Sequence, residues 1–369
     1  MILTYQYRLL PTARQRVTLD QIIESQRQLY NAALEERIAA YQKAGKTITL
    51  YDQMKSLTIC RADLSDMAEL PSNLQRGTLK RVDEAYKGFF RRKKGFPRFR
   101  GRNWFKSFSF TEFSGIRLIQ PNRVKFKGMS SLRFHLHRPL PSDIRAVTFK
   151  KESSGDWLIS FQVKVTPSAR ERTGKEVGLD LGLTHLFTLS NSIHVPNIRV
   201  ARKAERSIRL VQRQLSRTKR QSKRRLKVKD RLQRAHSKVS NTRKTYLHQV
   251  SAALVKEYDK IAVEDLKVNN LAGGHLAKSF HDAAWSKLLF NIDYKAERAG
   301  VDVVRVKAYN TSQECSGCGA IVKKALSERV HSCPNCKITL DRDVNAAMVI
   351  LQRAVVSPQV VNVRQESTR

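Results

Sequence analysis

The sequence predicts a multidomain α+β protein: an N-terminal β-barrel with a helical insertion, followed by an α/β domain into which a metal-binding ribbon is inserted. Its 369 residues suffice for two or three hydrophobic cores. The hydrophobic pattern changes along the chain from helical spacing to short alternating segments, and then to strands that alternate with helices. Near the C-terminus, two Cys-x-x-Cys pairs have the spacing of a small metal-bound domain.

The first half of the chain contains one strand, then helices, then several short strands. Apolar residues alternate from Leu3 to Leu9 and predict a half-buried strand that ends at Pro11. Thr12 has the position of an N-cap, and helical spacing continues from it to about Ala44. A second helical region covers about 51–94, with a break near 71–73. Six short segments between 107 and 165 have strand character and predict a small β-barrel or sandwich, which the first strand would join.

The second half alternates strands and helices after a linker at 166–175. Strands are predicted over 177–183, 186–190, 261–266 and 301–306, and helices over 199–244, 278–299 and 345–354. This order is typical of an α/β domain. After Val355 we expect a frayed tail.

The chain is strongly basic, with 70 Lys and Arg residues against 32 Asp and Glu and a formal net charge of +38. Such an excess predicts a polyanionic partner, either a nucleic acid or an anionic membrane surface. No run approaches the ~18 apolar residues of a spanning helix, and the first residues alternate like a strand instead of forming a signal peptide. We therefore expect a cytoplasmic protein that binds nucleic acid and no membrane.

Two segments concentrate this charge. From Arg199 to Lys244 there are 19 Lys and Arg residues but only two acidic ones, Glu205 and Asp230, on a helical hairpin with an apolar stripe. Because this excess repels itself, phosphate-backbone binding is favoured over a merely solvated face. Around 91–102, basic residues alternate with aromatic ones, a pattern that suits phosphates and stacked bases. A solvated loop with core aromatics explains that second pattern equally well.

Four of the five cysteines form two pairs, Cys315-x-x-Cys318 and Cys333-x-x-Cys336, separated by fourteen residues. A tight knuckle places the two thiolates of each pair on one side of a tetrahedral zinc ion. Four thiolates leave no ligand position open, so we expect Zn²⁺ in a structural role. The remaining cysteine, Cys60, lies in a helical segment and is expected to be a buried apolar residue. This cysteine usage predicts a metal site instead of a disulfide framework.

Three acidic residues stand where predicted elements end or begin: Asp180 and Glu264 at strand ends and Asp343 at the start of a helix. Strand ends from distant parts of an α/β sheet converge on one edge, so these carboxylates can share a site. Their mutual repulsion would require divalent cations, and oxygen ligands favour Mg²⁺ or Mn²⁺. Two such ions support phosphodiester hydrolysis. The spacing leaves Asp265 as an alternative to Glu264, and Asp341 as an alternative to Asp343.

With these residues assembled, the chain resembles the TnpB family of RNA-guided nucleases, which are encoded by insertion sequences of the IS200/IS605 type and are relatives of the Cas12 effectors. The resemblance extends over most of the chain. It rests on the segments Tyr30-Asn-Ala-Ala-Leu, Gly95-Phe-Pro-Arg-Phe, Gly178-Leu-Asp-Leu-Gly, Ala262-Val-Glu-Asp-Leu, Leu276-Ala-Lys-Ser, Asp282-Ala-Ala-Trp, Thr311-Ser-Gln-Glu-Cys-Ser-Gly-Cys-Gly and Asp341-Arg-Asp-Val-Asn-Ala-Ala.

The resemblance implies a RuvC-type nuclease domain of RNase H fold, whose catalytic and magnesium-binding acids are Asp180, Glu264 and Asp343. It assigns Arg329 as a basic residue that contacts the scissile phosphate. The implied partners are a guide RNA (omega RNA) from the transposon's right end and double-stranded target DNA beside a short adjacent motif, bound by one protein chain in a prokaryotic cytoplasm. Base pairing would then select the target, while the protein recognises nucleic-acid shape and the short motif.

The implied domains are a wedge β-barrel at 1–10 and 101–168, a helical recognition domain at 11–100, a RuvC-like domain at 169–309 and 337–355, a zinc ribbon that binds target nucleic acid at 310–336, and a disordered tail at 356–369. Two positions depart from the family pattern: Lys337 stands where Gly is usual, and Val349 where Asn is common. Only local effects are expected from them. Two alternatives stay open, a guide-dependent repressor that does not cut, and an RNA-independent nuclease or transposase of RNase H fold.

Overall fold

A computed structural model describes residues 1–92, 94–168, 170–266, 282–325 and 328–356. The chain forms two compact units, Met1–Val165 and Thr166–Arg369. Within the described ranges, no helix is both long enough and apolar enough to cross a membrane. The motif segment at 276–279 and the expected tail from 357 onward lie outside the described residues.

The first unit is built on a seven-stranded antiparallel sheet. Its strands are β1 (Ile2–Leu9), β2 (Ser107–Phe110), β3 (Ile116–Gln120), β4 (Arg123–Phe126), β5 (Met129–His135), β6 (Ile144–Lys151) and β7 (Trp157–Lys164). The hydrogen-bonded order is β2-β6-β7-β1-β5-β4-β3, so the first strand lies in the middle of the sheet. The predicted membership of this strand in the sheet is confirmed.

Buried phenylalanine rings fill the inside of this sheet. Phe108 and Phe110 of β2 pack against Phe126 of β4, with ring centroids 6.3 and 5.2 Å apart, although β2 and β4 are distant in the hydrogen-bonded order. The sheet therefore curls into a half-barrel. Among the described residues, no ladder joins β2 to β3 to close it.

Four helices are inserted between β1 and β2. They are α1 (Ala13–Ala44), α2 (Leu50–Asp63), α3 (Ser65–Ala68) and α4 (Ser72–Arg92). Thr12 caps α1 in a capping box with Gln15, as its position predicts, and the helix ends at Gly45 in the left-handed conformation. Buried side chains of α1 and α4 belong to the same hydrophobic cluster as the half-barrel, so insertion and sheet share one core. Cys60 lies in α2 but is exposed, so its predicted burial is wrong; α2 buries Gln53 and Leu57 instead.

The described residues of the second unit form a five-stranded mixed sheet, four helices and a small hairpin. The strands of the sheet are β8 (Glu176–Leu181), β9 (His185–Leu189), β10 (His194–Pro196), β11 (Lys260–Glu264) and β12 (Asp302–Val306). The helices are α5 (Val200–Ser216), α6 (Lys223–Glu257), α7 (Trp285–Ala299) and α8 (Arg342–Val356), and the hairpin is β13 (Val330–Ser332) with β14 (Thr339–Asp341). The sheet order is β10-β9-β8-β11-β12, with β8, β11 and β12 parallel. The predicted α/β order is confirmed.

Helices cover both faces of this sheet. Alternate side chains of the central strands, among them Leu179 and Val263, join the cluster formed with α6 and α7. Side chains at the intervening positions point to the other face of the sheet, where Ala262 packs against Ile350 of α8. A central parallel strand buried on both faces needs the continuous apolar run that Val177–Leu179 and Ile261–Val263 provide.

Several element boundaries differ from the sequence predictions. β8 ends at Leu181, two residues before the predicted end at 183, and α6 continues past Lys244 to Glu257. The short strands β10, β13 and β14 were not predicted, because three residues carry too little alternation to be recognised. Helix α8 begins at Arg342 instead of Asn345. The difference arises because Arg342 and Asp343 are polar, so the apolar spacing that predicts a helix starts later than the helix itself.

Candidate functional site

Asp180 and Glu264 lie side by side at the ends of neighbouring parallel strands. The register pairs Leu179 of β8 with Val263 of β11, so the next residue on each strand is the acid. Adjacent strands are about 4.8 Å apart, and equivalent residues of parallel neighbours point to the same face. The two carboxylates therefore share the face of the sheet that is covered by α8.

Close packing of α8 on β8 brings the third acid, Asp343, next to the other two. A Cβ atom at Gly178 would lie 1.9 Å from the carbonyl oxygen of Ala347 and 2.9 Å from the backbone nitrogen of Leu351. Gly178 is two residues before Asp180 and on the same face, so the missing side chain admits the helix backbone there. Asp343, one turn before Ala347, is thereby brought to the ends of the two strands.

Hydrogen bonds distinguish the two aspartates at the start of α8. The Oδ1 atom of Asp341 accepts hydrogen bonds from the backbone nitrogens of Asp343 at 2.9 Å and Val344 at 3.1 Å. This is the bonding of an N-cap residue. The Asp343 side chain is not used as a cap, and it contributes instead to the electrostatics of Asp180.

Burial and neighbouring groups shift the pKa values of Asp180 and Glu264. Burial raises the pKa of Asp180 well above its usual range, and the negative charges of Glu264 and Asp343 raise it further. Burial also raises the pKa of Glu264, whereas a hydrogen bond from Thr311 and the charge of Arg353 lower it. Carboxylates held together at this cost in free energy are characteristic of sites that bind a cation or perform catalysis.

Two arginines lie beside the acids. Arg342 donates to Oδ1 of Asp343 from Nε at 3.2 Å and from a terminal nitrogen at 3.1 Å. Arg329 is half exposed and lies 4.0 Å from the other oxygen of Asp343, so the residue that the resemblance assigns to the site lies at it. Across the described residues, only the four cysteines bring three or more potential metal ligands within 4.8 Å of one another. The three acids are thus spread more widely than that distance.

Three polar residues that the sequence analysis did not single out hold the site together. The Thr311 hydroxyl donates to Glu264, which orients that carboxylate. The buried Asn345 accepts from the backbone nitrogen of Ser316 at 2.9 Å and donates to the carbonyl oxygen of Glu314 at 2.7 Å. Arg353 of α8 donates to the carbonyl oxygens of Lys307 and Tyr309, both at 2.8 Å. The segment leading to the first cysteine pair is therefore bound along α8. In the sequence, the only signal for Asn345 was its position two residues after an acid.

The cysteine pairs form one compact cluster. Sγ of Cys315 lies 3.5 Å from that of Cys336, and Sγ of Cys318 lies 3.6 Å from that of Cys333. A tetrahedral ion with bonds of about 2.3 Å requires sulfurs about 3.8 Å apart, so these side chains fit one ion. Backbone N–H groups of Cys336 and Asn335 lower the pKa of Cys333 to about 6. In spite of a hydrogen bond from the Ile338 backbone, burial and the neighbouring thiols raise the pKa of Cys336 to about 12, as expected for close thiols that share one negative charge.

Each knuckle ends in a left-handed residue. Gly319 has φ 75° and donates to the carbonyl oxygen of Cys315, and Lys337 has φ 62° and donates to that of Cys333. The equivalent geometry explains why glycine is usual at position 337, since a side chain there costs about 1 kcal/mol. Val349 is fully buried in α8, where an apolar residue is well accommodated.

Loss of one cysteine ligand gives a direct test of the cluster. We expect Cys333→Ser to release the bound metal and lower the melting temperature, because a hydroxyl is a poor replacement for a thiolate ligand. Metal content by mass spectrometry and thermal unfolding measure both effects. Cys60→Ser, at the exposed cysteine of α2, is the matched control and should retain metal and stability. Equal metal content in both variants would contradict the four-thiolate site.

The basic segment 199–244 forms the predicted helical hairpin. Helix α5 packs along the first part of α6, and its apolar stripe is half-buried between them, with Val211 fully buried. The buried residues of α6 that join the core of the unit start only at Leu247. Most Lys and Arg side chains of the hairpin are therefore exposed to solvent.

Comparison with known proteins assigns the family. A model described as "Probable transposase", of the IS605 OrfB type, matches residues 160–274, and one described as "Cas12f1-like, TNB domain" matches 285–350. Over 94% of its length, the chain is 30% identical to proteins from Streptomyces pristinaespiralis and Escherichia coli K12, named "Putative RNA-guided DNA endonuclease" and "Putative RNA-guided DNA endonuclease InsQ". The chain covers 88% and 91% of those two proteins. The chain belongs to the TnpB family.

Solved structures show the fold of this TnpB-family chain. It aligns over 92% of its length, and over 83% of the other chain, with the protein of a Cas12f1–sgRNA–target DNA complex, at a TM-score of 0.59 and 14% identity. A third family model, described as "Helix-turn-helix domain", matches residues 1–46. In the structure these residues are the strand β1 and the single long helix α1, so no helix-turn-helix is formed there.

Proposed function

We propose that the chain is an RNA-guided DNA endonuclease, which binds a transposon-derived omega RNA and cuts double-stranded DNA beside a short adjacent motif. The observation that carries the proposal is the meeting of Asp180, Glu264 and Asp343 at one edge of the mixed sheet. Two further observations support it: the net charge of +38, and relatives named as RNA-guided DNA endonucleases that align along nearly the whole chain.

The proposed nuclease site is of the RuvC type, with Mg²⁺ or Mn²⁺ held by Asp180, Glu264 and Asp343. The raised pKa values of Asp180 and Glu264 fit such a group, because a divalent cation stabilises the charged carboxylates that burial disfavours, and at Asp180 it also offsets the nearby negative charges. When bound, two such ions supply the charge that activates a water and stabilises the leaving oxygen of a phosphodiester.

The chain's own residues would orient the acids and the substrate. Thr311 fixes the rotamer of Glu264, and Asp341 fixes the start of α8 and hence Asp343. Arg329 is half exposed beside Asp343, so its guanidinium can pair with a phosphate that approaches the acids. The basic hairpin α5–α6 would contact nucleic-acid backbone through charge alone.

The cysteine cluster is proposed to hold a structural Zn²⁺. Four thiolates leave no position for a substrate, and the fitting S–S distances support one tetrahedral ion. Through Asn345 and the segment before Cys315, this ribbon would also support the helix that carries Asp343.

Sequencing of the nucleic acid that co-purifies with the chain tests the proposal. We expect a single defined RNA, and Mg²⁺-dependent cleavage of a plasmid that contains the matching target. Asp180→Asn should bind the same target without cutting it, because the amide cannot replace an anionic ligand. Asp265→Asn, at the exposed acid next to Glu264, is the control that should cut normally.

Each alternative predicts a different outcome. The guided model fails if no defined RNA co-purifies. A repressor would bind the target but leave it intact in the wild type as well as in Asp180→Asn. An RNA-independent nuclease or transposase would cut equally well after its RNA has been removed and would ignore the target sequence.

A further inference from the structure

The last turns of α4 and the loop that follows it expose aromatic side chains that the core does not use. Phe90, Phe99 and Trp104 are 74%, 55% and 82% exposed. Two apolar residues of the same segment are buried, Phe105 in the main cluster and Pro97 within the loop. The segment therefore divides its apolar residues into an anchoring set and an outward-facing set.

The backbone of this loop is held firmly on α1. The side chain of Asn31 donates to the carbonyl oxygen of Arg100 at 3.1 Å and accepts from its backbone nitrogen at 2.8 Å. Arg27 donates to the same carbonyl oxygen at 2.9 Å. A loop fixed by side-chain hydrogen bonds presents its exposed residues in one arrangement, which lowers the entropic cost of binding.

Aromatic contacts continue the anchoring toward α4. Phe105 packs against Tyr30 of α1 with centroids 5.9 Å apart, and Arg100 lies over the same ring at 5.7 Å. At the end of α4, the ring of Phe90 stacks on Tyr86 at 6.3 Å and contacts Phe89 edge to face at 5.0 Å. One side of the Phe90 ring is thus supported while most of its surface meets solvent.

The segment that carries the exposed rings is rich in positive charge, and one of its arginines, Arg102, pairs with Glu24 of α1 at 3.5 Å. Exposed cations flank the rings on both sides in the segment 91–102: Arg91, Arg92, Lys94, Arg98, Arg100 and Arg102. No acidic residue occurs between Glu84 and Glu112. Such a surface is complementary to a phosphate backbone whose bases stack on rings, and it would repel a basic partner.

We infer that Phe90, Phe99 and Trp104, called here the aromatic platform, stack the unpaired bases of a single-stranded RNA while the flanking arginines pair with its phosphates. RNA is favoured because five of the seven cations in the segment 91–102 are arginines, whose planar guanidinium groups both pair with phosphates and stack on splayed bases. The inference rests on the proposed function only in taking this RNA to be an unpaired part of the guide.

Tryptophan fluorescence of the full-length chain tests the platform without cleavage. Of the three tryptophans, Trp157 and Trp285 are buried in the two cores, so a short RNA that stacks on the platform should quench mainly Trp104. We expect saturable quenching by oligouridine and little by an RNA duplex of equal length. Equal quenching by both would overturn the assignment to unpaired bases.

Substitutions separate stacking from general apolar or charge effects. Phe90→Ala and Phe90→Leu should each weaken oligouridine binding about tenfold, and Phe90→Tyr should change it less than about threefold, since base stacking contributes about 1–3 kcal/mol. Tyr41→Ala is the control, because Tyr41 of α1 has a ring about as exposed as that of Phe90 but lies outside the platform. If Phe90→Ala binds as tightly as Tyr41→Ala, or Phe90→Leu as tightly as the wild type, there is no platform.

Crosslinking of the purified complex identifies the strand. Thiouridine in the co-purified RNA should crosslink to peptides that contain residues 90–104. Crosslinks of these peptides to a thymidine-analogue-labelled target strand alone would overturn the RNA assignment. If the chain carried no guide, the proposed function would fail, but the oligouridine titration would still decide whether the platform exists.

Discussion

Asp343→Asn is expected to reduce target cleavage by more than about a hundredfold while leaving RNA binding, metal in the cysteine cluster and folding unchanged. Loss of even an outer partner of a metal ligand costs about 10–100-fold in activity, and Asp343 is proposed as a ligand itself. Asparagine keeps the shape of the side chain but not the charge that helps raise the pKa of Asp180. Single-turnover cleavage of a labelled target measures the effect.

Asp341→Asn is the matched control for this substitution. It lies two residues away in the same turn, and asparagine caps helices about as well as aspartate does, so cleavage should be nearly normal. Asp341→Ala should destabilise the second unit by about 1 kcal/mol through loss of the cap. If Asp341→Asn ended cleavage and Asp343→Asn did not, the two roles would have to be exchanged.

Gly178→Ala should have the second large effect, on stability as well as on cleavage. The added methyl group would lie 1.9 Å from the carbonyl oxygen of Ala347, and neither backbone can rotate away as a flexible side chain would. We expect a loss of about 3 kcal/mol of unfolding free energy, at the upper end of overpacking effects. Displacement of α8 would also move Asp343 away from Asp180 and end cleavage.

Hydrogen exchange and thermal unfolding measure this effect of Gly178→Ala. Amides of α8 should exchange faster, while those of the half-barrel unit should be unchanged. Gly95→Ala is the control, because a Cβ atom at Gly95 has no neighbour within 4 Å. Normal protection of α8 together with normal cleavage in Gly178→Ala would show that the helix does not depend on this close approach.

Sequence patterns predicted most elements, because helical and strand periodicities are local properties. They also predicted that Asp180 and Glu264 end strands, and the structure places these residues on neighbouring strands. The two candidates at the start of α8 could not be distinguished by spacing, since either aspartate can cap a helix. The family resemblance favours Asp343, and the two backbone hydrogen bonds to Asp341 give the physical reason, because they make Asp341 the cap.

The sequence also could not determine which aromatic residues of the basic segment at 91–105 are buried. Composition could not distinguish core aromatics from surface ones, and the segment contains both: Phe105 is buried, and Trp104, its neighbour in sequence, is exposed. Burial depends on Tyr30 and Asn31, which lie far away in the chain. A residue's exposure is therefore a property of its distant partners more than of its own segment.

Local sequence was enough for the cysteine knuckles, the strand and helix order, the clusters of basic charge and the short list of candidate acids, within which Glu264 and Asp343 each kept a neighbouring alternative. Each of these depends on residue types within one or two turns of chain. Tertiary structure alone decided that Gly178 admits α8, that Thr311 and Asn345 connect the acids to the cysteine ribbon, and which rings face solvent. These depend on contacts between residues far apart in the chain, whose geometry is set by packing and not by periodicity.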